Sequence, residues 1–139
     1  MSESEARQVV EKFFTAFNAN DVDGFRSCMN YPHIILTRGS VLISQEPSDF
    51  INPIPILKAQ QNWDRSLVKL LEPIHVAEDK VHFKIVFNRY RSDGTKYTVL
   101  DGIWVITNQD GHWGVQCRSM IPRDPGMFEE FIDRYQDGQ

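Results

Sequence analysis

Between residues 80 and 121 the chain alternates apolar and polar side chains through long runs, broken at Asp93-Gly94 and Asp110-Gly111. Asp-Gly between alternating runs is the strongest short-range hairpin signal, because the tight turn that matches strand twist needs positive φ at its central residues. The pattern predicts strands over approximately 66–77, 80–91, 96–108 and 112–121, joined as an antiparallel meander. With two-residue turns, Phe83 lies opposite Trp104, Ile85 opposite Gly102, and Trp104 opposite Cys117. One face then collects Phe83, Ile85, Phe87, Leu100, Trp104, Ile106, Val115 and Cys117, a core face that needs helices laid over it. The other collects Lys84, Val86, Asn88, Val99, Asp101, Ile103, Val105, Gln116, Arg118 and Met120. Val86, Val99, Ile103, Val105 and Met120 make that second face too apolar for open water, and a homodimer formed sheet to sheet is the expected cover.

The covering helices are written upstream. Val9, Val10, Phe13, Phe14 and Phe17 recur at three-to-four spacing after Ser2 and Glu5, which fit a capping box. Asp21 is placed to cap a short second helix through Phe25 and Met29, which Pro32 ends. From His33 the runs HIILT and VLIS flank Arg38-Gly39-Ser40 and predict a hairpin. Residues 47–63 have helical periodicity, but Pro53 and Pro55 cannot both sit in a helix interior, so an interrupted helix restarting near Pro55 is expected. Asp124 to Tyr135 predicts a short C-terminal helix. The fold class is therefore α+β: a mixed or antiparallel sheet of about six strands wrapped by helices from the N-terminal half.

Length and charge narrow the function. The 139 residues suit one domain over 1–139, with no repeat or linker. Fifteen Lys and Arg are scattered among nineteen Asp and Glu, so no basic patch recruits nucleic acid. Apolar runs reach only about five residues against the roughly 20 of a membrane helix, so no membrane partner is expected. Cys28 and Cys117 lie far apart, and reduced thiols in a cytoplasm are the expected state, with a single disulfide the alternative. His75, His82 and His112 lack metal-ligand spacing, and there is no GxGxxG, P-loop or GxSxG, so neither metal nor cofactor is expected.

The segments FFTAFNANDVDGF (13–25), YPHIILTRG (31–39), NWDRS (62–66), VHFKIVFNRYRSDG (81–94) and IWVITNQDGHWGVQCRSM (103–120) are similar to a bacterial subgroup of the nuclear transport factor 2-like superfamily. That superfamily includes ketosteroid isomerase-like and SnoaL-like proteins. The resemblance covers nearly the whole chain and implies a cone-shaped sheet whose open mouth holds small apolar molecules. Where ketosteroid isomerase-like members carry a carboxylate base, this chain has Thr37 and Arg38. Limonene epoxide hydrolase-like members use an Asp-Arg-Asp set, of which Asp101 and Arg118 would be half. Scytalone dehydratase-like members use His with Asp and Tyr, for which His33, Tyr31 and Asp101 are the nearest materials.

Two functions are weighed. The favoured one is a small apolar molecule-binding protein with no catalytic constellation, its pocket lined by Phe17, Tyr31, His33, Trp63, Phe83, Phe87, Trp104 and Cys117. The alternative is an isomerase, dehydratase or hydrolase using His33 with Tyr31 or Asp101. Asp101 and Arg118 are expected to form a structural cross-strand ion pair on the outer face, although one β-bulge would flip the parity and turn Arg118 toward the ligand.

Overall fold

The computed structural model describes residues 1–122. Helix α1, Ser2–Asn18, buries Ala6, Val9, Val10, Phe13, Phe14 and Phe17 along one stripe. Burial of such side chains is worth about 1.5–3 kcal/mol each. The capping box expected at Ser2 and Glu5 is not formed: Ser2 is already helical, Met1 is the cap residue, and its carbonyl accepts from the Glu5 amide at 3.1 Å. Asp21 does cap helix α2, Val22–Ser27, its Oδ1 accepting from the Gly24 amide at 3.0 Å.

Strand β1, Met29–Leu36, begins earlier than His33, and Pro32, expected to end the preceding helix, lies inside it after a cis peptide bond. Pro32 falls in an irregular stretch of the ladder, between Met29↔Val115 and Ile34↔Cys117, where a missing amide hydrogen breaks no regular pairing. Strand β2, Val41–Ser44, returns antiparallel through a turn that uses Gly39 at φ 92°. A 3-10 turn at Pro47–Asp49 precedes helix α3, Ile54–Gln61, so the interruption expected here is real. The two prolines sit at the start of α3, where their missing N–H groups would have had no partner.

Strands β3 (Trp63–Val76), β4 (Lys80–Arg91), β5 (Lys96–Gln109) and β6 (His112–Pro122) complete a six-stranded sheet of order β2-β1-β6-β5-β4-β3. All pairs are antiparallel except β1 with β6. The helix expected over 124–135 lies outside the described residues.

Two turns decide the register. Asp110-Gly111 is the two-residue turn expected, with φ of 52° and 91°. The β4–β5 connection is longer: Arg91 donates to the Thr95 carbonyl at 2.9 Å around Ser92, Asp93 and Gly94. A slip between Arg89 and Tyr90 compensates, and Phe83↔Trp104 and Ile85↔Gly102 pair as expected.

The β5–β6 pairing departs from expectation at one residue. Ile106 faces Val115, but Val105 then faces Cys117, so Gln116 is an inserted bulge residue. Its side chain occupies the kink, hydrogen-bonded to the Thr107 hydroxyl and the Pro32 carbonyl. Beyond the bulge every β6 side chain changes face. Trp104 therefore lies opposite Arg118 and not Cys117. Arg118 and Met120, expected outside, are buried on the inner face, while Cys117 turns outward and is half-buried. The Asp101–Arg118 pair expected on one face is accordingly excluded: Asp101, opposite Val86 and Ile121, sits on the outer face while Arg118 faces inward with Trp104.

Candidate functional site

Between the inner face of the sheet and the helices lies a cavity of about 40 Å³. Phe13, Phe14 and Phe17 of α1 and Leu57 of α3 form its helical side. The sheet contributes Ile35, Phe87, Trp104 and Met120, together with three polar side chains: Ser66, Arg89 and Arg118. The period-3.6 stripe of α1 and the period-2 inner faces of β4 and β5 converge there, which is why the wall is mostly aromatic.

Arg118 is only 7% exposed, and its guanidinium carbon lies 5.2 Å, 5.8 Å and 5.4 Å from the ring centres of Phe13, Phe50 and Trp104. Aromatic faces carry negative charge density, so this surround compensates part of the desolvation of a buried cation. Behind Arg118 stands His33, 1% exposed. Its Nδ1 is 2.9 Å from the Val115 carbonyl, and its Nε2 is 3.1 Å from Arg118 Nε. A carbonyl can only accept and an arginine Nε–H can only donate, which assigns the proton to Nδ1 and the lone pair to Nε2. Burial first, and the Arg118 cation second, push the His33 pKa down to about 3, against the Val115 carbonyl, which opposes the fall. His33 is thus a neutral acceptor that orients Arg118.

Arg89, also 7% exposed, enters the same wall from β4. Burial drives its pKa below the ordinary guanidinium value, opposed by the hydrogen-bonded Tyr97 hydroxyl. Ser66 is held in place on three sides: its amide donates to Asn18 Oδ1 and its carbonyl accepts from Asn18 Nδ2, both at 2.8 Å, and its hydroxyl accepts from Trp63 Nε1 at 2.9 Å. Trp104 carries a buried Nε1–H with no hydrogen-bond partner among the described residues.

Of the pocket residues expected from sequence, Phe17, Phe87 and Trp104 line this cavity. The others stand around it. Trp63 packs edge-on against Phe17 with ring centres 5.2 Å apart, and Phe83 is buried with Arg7 5.4 Å from its ring centre. Tyr31 donates its hydroxyl to the Arg26 carbonyl at 3.0 Å, so it is not presented to the cavity, and Cys117 lies on the outer face. Burial raises the thiol pKa of both Cys28 and Cys117, which keeps them protonated and weakly reactive. Among the residues not foreseen, Arg89 had a signal: it continues the inward series Val81, Phe83, Ile85 and Phe87 along β4. Phe13 and Phe14 had one too, in the α1 stripe.

No family model matches the chain, and no curated protein matches it. Solved structures do. A cystatin-like-fold protein of unknown function from Nostoc punctiforme superposes with a TM-score of 0.71 at 10% identity, covering 88% of this chain and 91% of its own. An NTF2-like protein with a cystatin-like fold from Novosphingobium aromaticivorans gives 0.70 at 13% identity, covering 88% and 82%. A protein from Catenulispora acidiphila, solved in complex with S-DNPA, gives 0.68 at 14% identity, covering 91% and 97%. The chain therefore has the cystatin-like fold of the nuclear transport factor 2-like proteins, as its sequence segments implied. A shared fold carries no activity with it, so function has to be argued from the cavity itself.

Proposed function

We propose that this protein binds a small, largely apolar molecule in the cavity between α1 and the inner face of the sheet. The observation that carries the reading is the wall: aromatic and aliphatic side chains with a few fixed polar groups are the usual make-up of a small-molecule site. No carboxylate stands among the described lining residues, and the nearby imidazole has both nitrogens engaged, so binding fits this wall better than acid–base turnover. The neighbour from Catenulispora acidiphila, a protein of this fold solved in complex with S-DNPA, is in keeping with that use. The test is titration with neutral probes, benzene and 1-hexanol, followed by amide NMR. Shifts concentrated at Phe13, Phe87 and Trp104 support the reading; their absence at saturating probe overturns it.

We also propose that two copies associate through the outer face. Leu70 and Val86 pair across β3 and β4, and Ile103 and Val105 lie on the same face of β5, beside Lys84 and His82. Leu70 is 38% and Ile103 44% exposed in the single chain. Two free cysteines suit the reducing cytoplasm in which we place the protein. No helix among the described residues is long and apolar enough to cross a membrane.

A further inference from the structure

We propose that the ligand is a small neutral carbonyl compound, its oxygen accepting a hydrogen bond from Trp104 Nε1. This rests on the binding reading above and names the chemistry that the cavity selects. Trp104 lines the cavity and is 0% exposed, and its Nε1–H has no hydrogen-bond partner among the described residues. Trp63, also buried, shows what such a group ordinarily finds: its Nε1 donates to the Ser66 hydroxyl at 2.9 Å. A buried donor left without an acceptor is costly, and a ligand oxygen satisfies it.

The surroundings of the indole offer it no acceptor. Its ring is stacked on Phe14 with centres 5.4 Å apart, and it meets Phe13 and Phe87 edge to face at 5.1 Å and 6.1 Å. These neighbours hold the ring and carry no lone pair. An arginine side chain can only donate, so Arg89 and Arg118 do not satisfy the indole, whatever their own bonds. Ser66 carries the one side-chain oxygen among the described lining residues, and that oxygen already accepts from Trp63. The wall is rich in donors and poor in acceptors.

That imbalance separates a carbonyl from an alcohol. A hydroxyl group brings a proton that needs an acceptor of its own, whereas a ketone brings lone pairs alone. One neutral N–H calls for one acceptor and no charge. The rest of the ligand meets the aromatic faces of Phe13, Phe14, Phe17 and Phe87. A cavity of about 40 Å³ has room for roughly three or four water molecules, which suits a ketone of about five heavy atoms and excludes a steroid-sized one without movement of the wall.

The test compares 2-butanone with 2-methyl-1-butene, in which a methylene group replaces the oxygen, on the full chain. NMR of the nitrogen-15-labelled protein resolves the indole N–H of its three tryptophans, and connectivity to the backbone identifies that of Trp104. The ketone should move the Trp104 indole proton downfield, as a new hydrogen bond does, and the alkene should not. In Trp104→Phe the ketone should bind about tenfold more weakly, with the alkene held within about twofold. A Trp104 indole signal that responds alike to both probes, or stays still while the ketone binds, overturns the carbonyl inference and leaves the binding reading standing. Equal weakening of both probes in Trp104→Phe also overturns it. Failure of both probes to perturb the cavity overturns both readings. Because the indole signal is read on the unmodified protein, a variant that does not fold leaves the decision intact.

Discussion

Arg118 Nε and His33 Nε2 lie 3.1 Å apart in the interior, joining β6 to β1 through a neutral imidazole and a cation. The bond runs from a strand near the end of the described chain to one near its beginning, and it fixes two properties at once: the direction of the guanidinium and the protonation of the ring.

The first prediction concerns pH. His33 is held at about 3 in the folded protein against an ordinary value of 6.5. Its unfolded form therefore takes up a proton first on acidification. The sign follows: the contribution of His33 is constant above about pH 6.5, and stability falls between 6.5 and 3 by about 1.4 kcal/mol per pH unit. Urea unfolding at pH 7 and pH 5 measures it, with His33→Gln, which cannot titrate, as the control. A wild-type drop no larger than that of the control contradicts the assignment.

A second prediction links the pair. The Arg118 cation contributes to the depression of His33, so Arg118→Met should raise the His33 pKa. Nitrogen-15 imidazole shifts followed through a pH titration read this directly. Stability at pH 7 should fall by about 1–3 kcal/mol, because the buried His33 Nε2 loses the donor it accepts from. An unchanged His33 titration would show that the two side chains do not interact as described.

The bulge gives a third. Deleting Gln116 removes the extra residue and leaves the pairs beyond it, Val105↔Cys117 and Trp104↔Arg118, in a regular ladder, so Arg118 stays on the inner face. What is lost is the bonding of the Gln116 side chain to the Thr107 hydroxyl and the Pro32 carbonyl. We expect a loss of about 1–3 kcal/mol in urea unfolding, with the His33 titration kept as in the unmodified protein. A His33 titration returned to the ordinary imidazole range would show that Arg118 had left the inner face.

Gly102 gives a fourth. It lies opposite Met120, and a methyl group added there would collide with the Ser119 carbonyl oxygen of β6, a backbone atom that cannot turn away. Gly102→Ala should therefore destabilise by about 1–3 kcal/mol, seen as a lower denaturation midpoint. A midpoint equal to wild type would show that β6 can move outward without cost.

The outer face gives a fifth. Val105 is half-buried beside exposed Ile103. Val105→Glu places an unpaired carboxylate in the proposed contact, and the dimer should dissociate. Sedimentation velocity of both proteins at micromolar concentration decides. A monomer in the unmodified protein removes the proposal, and an unchanged mass in the variant moves the interface elsewhere.

Most of the fold could be read from the residues, because its signals are local and repeated: the apolar stripe of α1, the alternation of β4 and β5, and Asp110-Gly111 with its positive φ angles. The sheet partner of β1 was not legible, since nothing near Met29 announces Val115. The site failed at one residue. Gln116 carries no composition cue that sets it apart from its neighbours on an outer strand face, and its role appears only once Thr107 and Pro32 are close enough to bind its side chain. Strand parity accumulates along the chain, so that single insertion moved Cys117, Arg118 and Met120 together. Arg89, in contrast, needed only the inward series of β4 carried one step further.

The parallel seam between β1 and β6 joins Met29 to Val115 and Ile35 to Arg118, pairs separated by more than half the chain. Contacts of such long sequence separation require closure of a large loop and tend to form late in folding. Ile35 and Arg118 face each other across that seam, and both line the cavity. The local hairpins β3–β4, β4–β5 and β5–β6 can assemble without it, but the cavity cannot. During synthesis, ligand capacity should therefore arrive in one step after β6 has left the ribosome, and a nascent chain ending before Arg118 should show sheet structure while taking up no apolar probe.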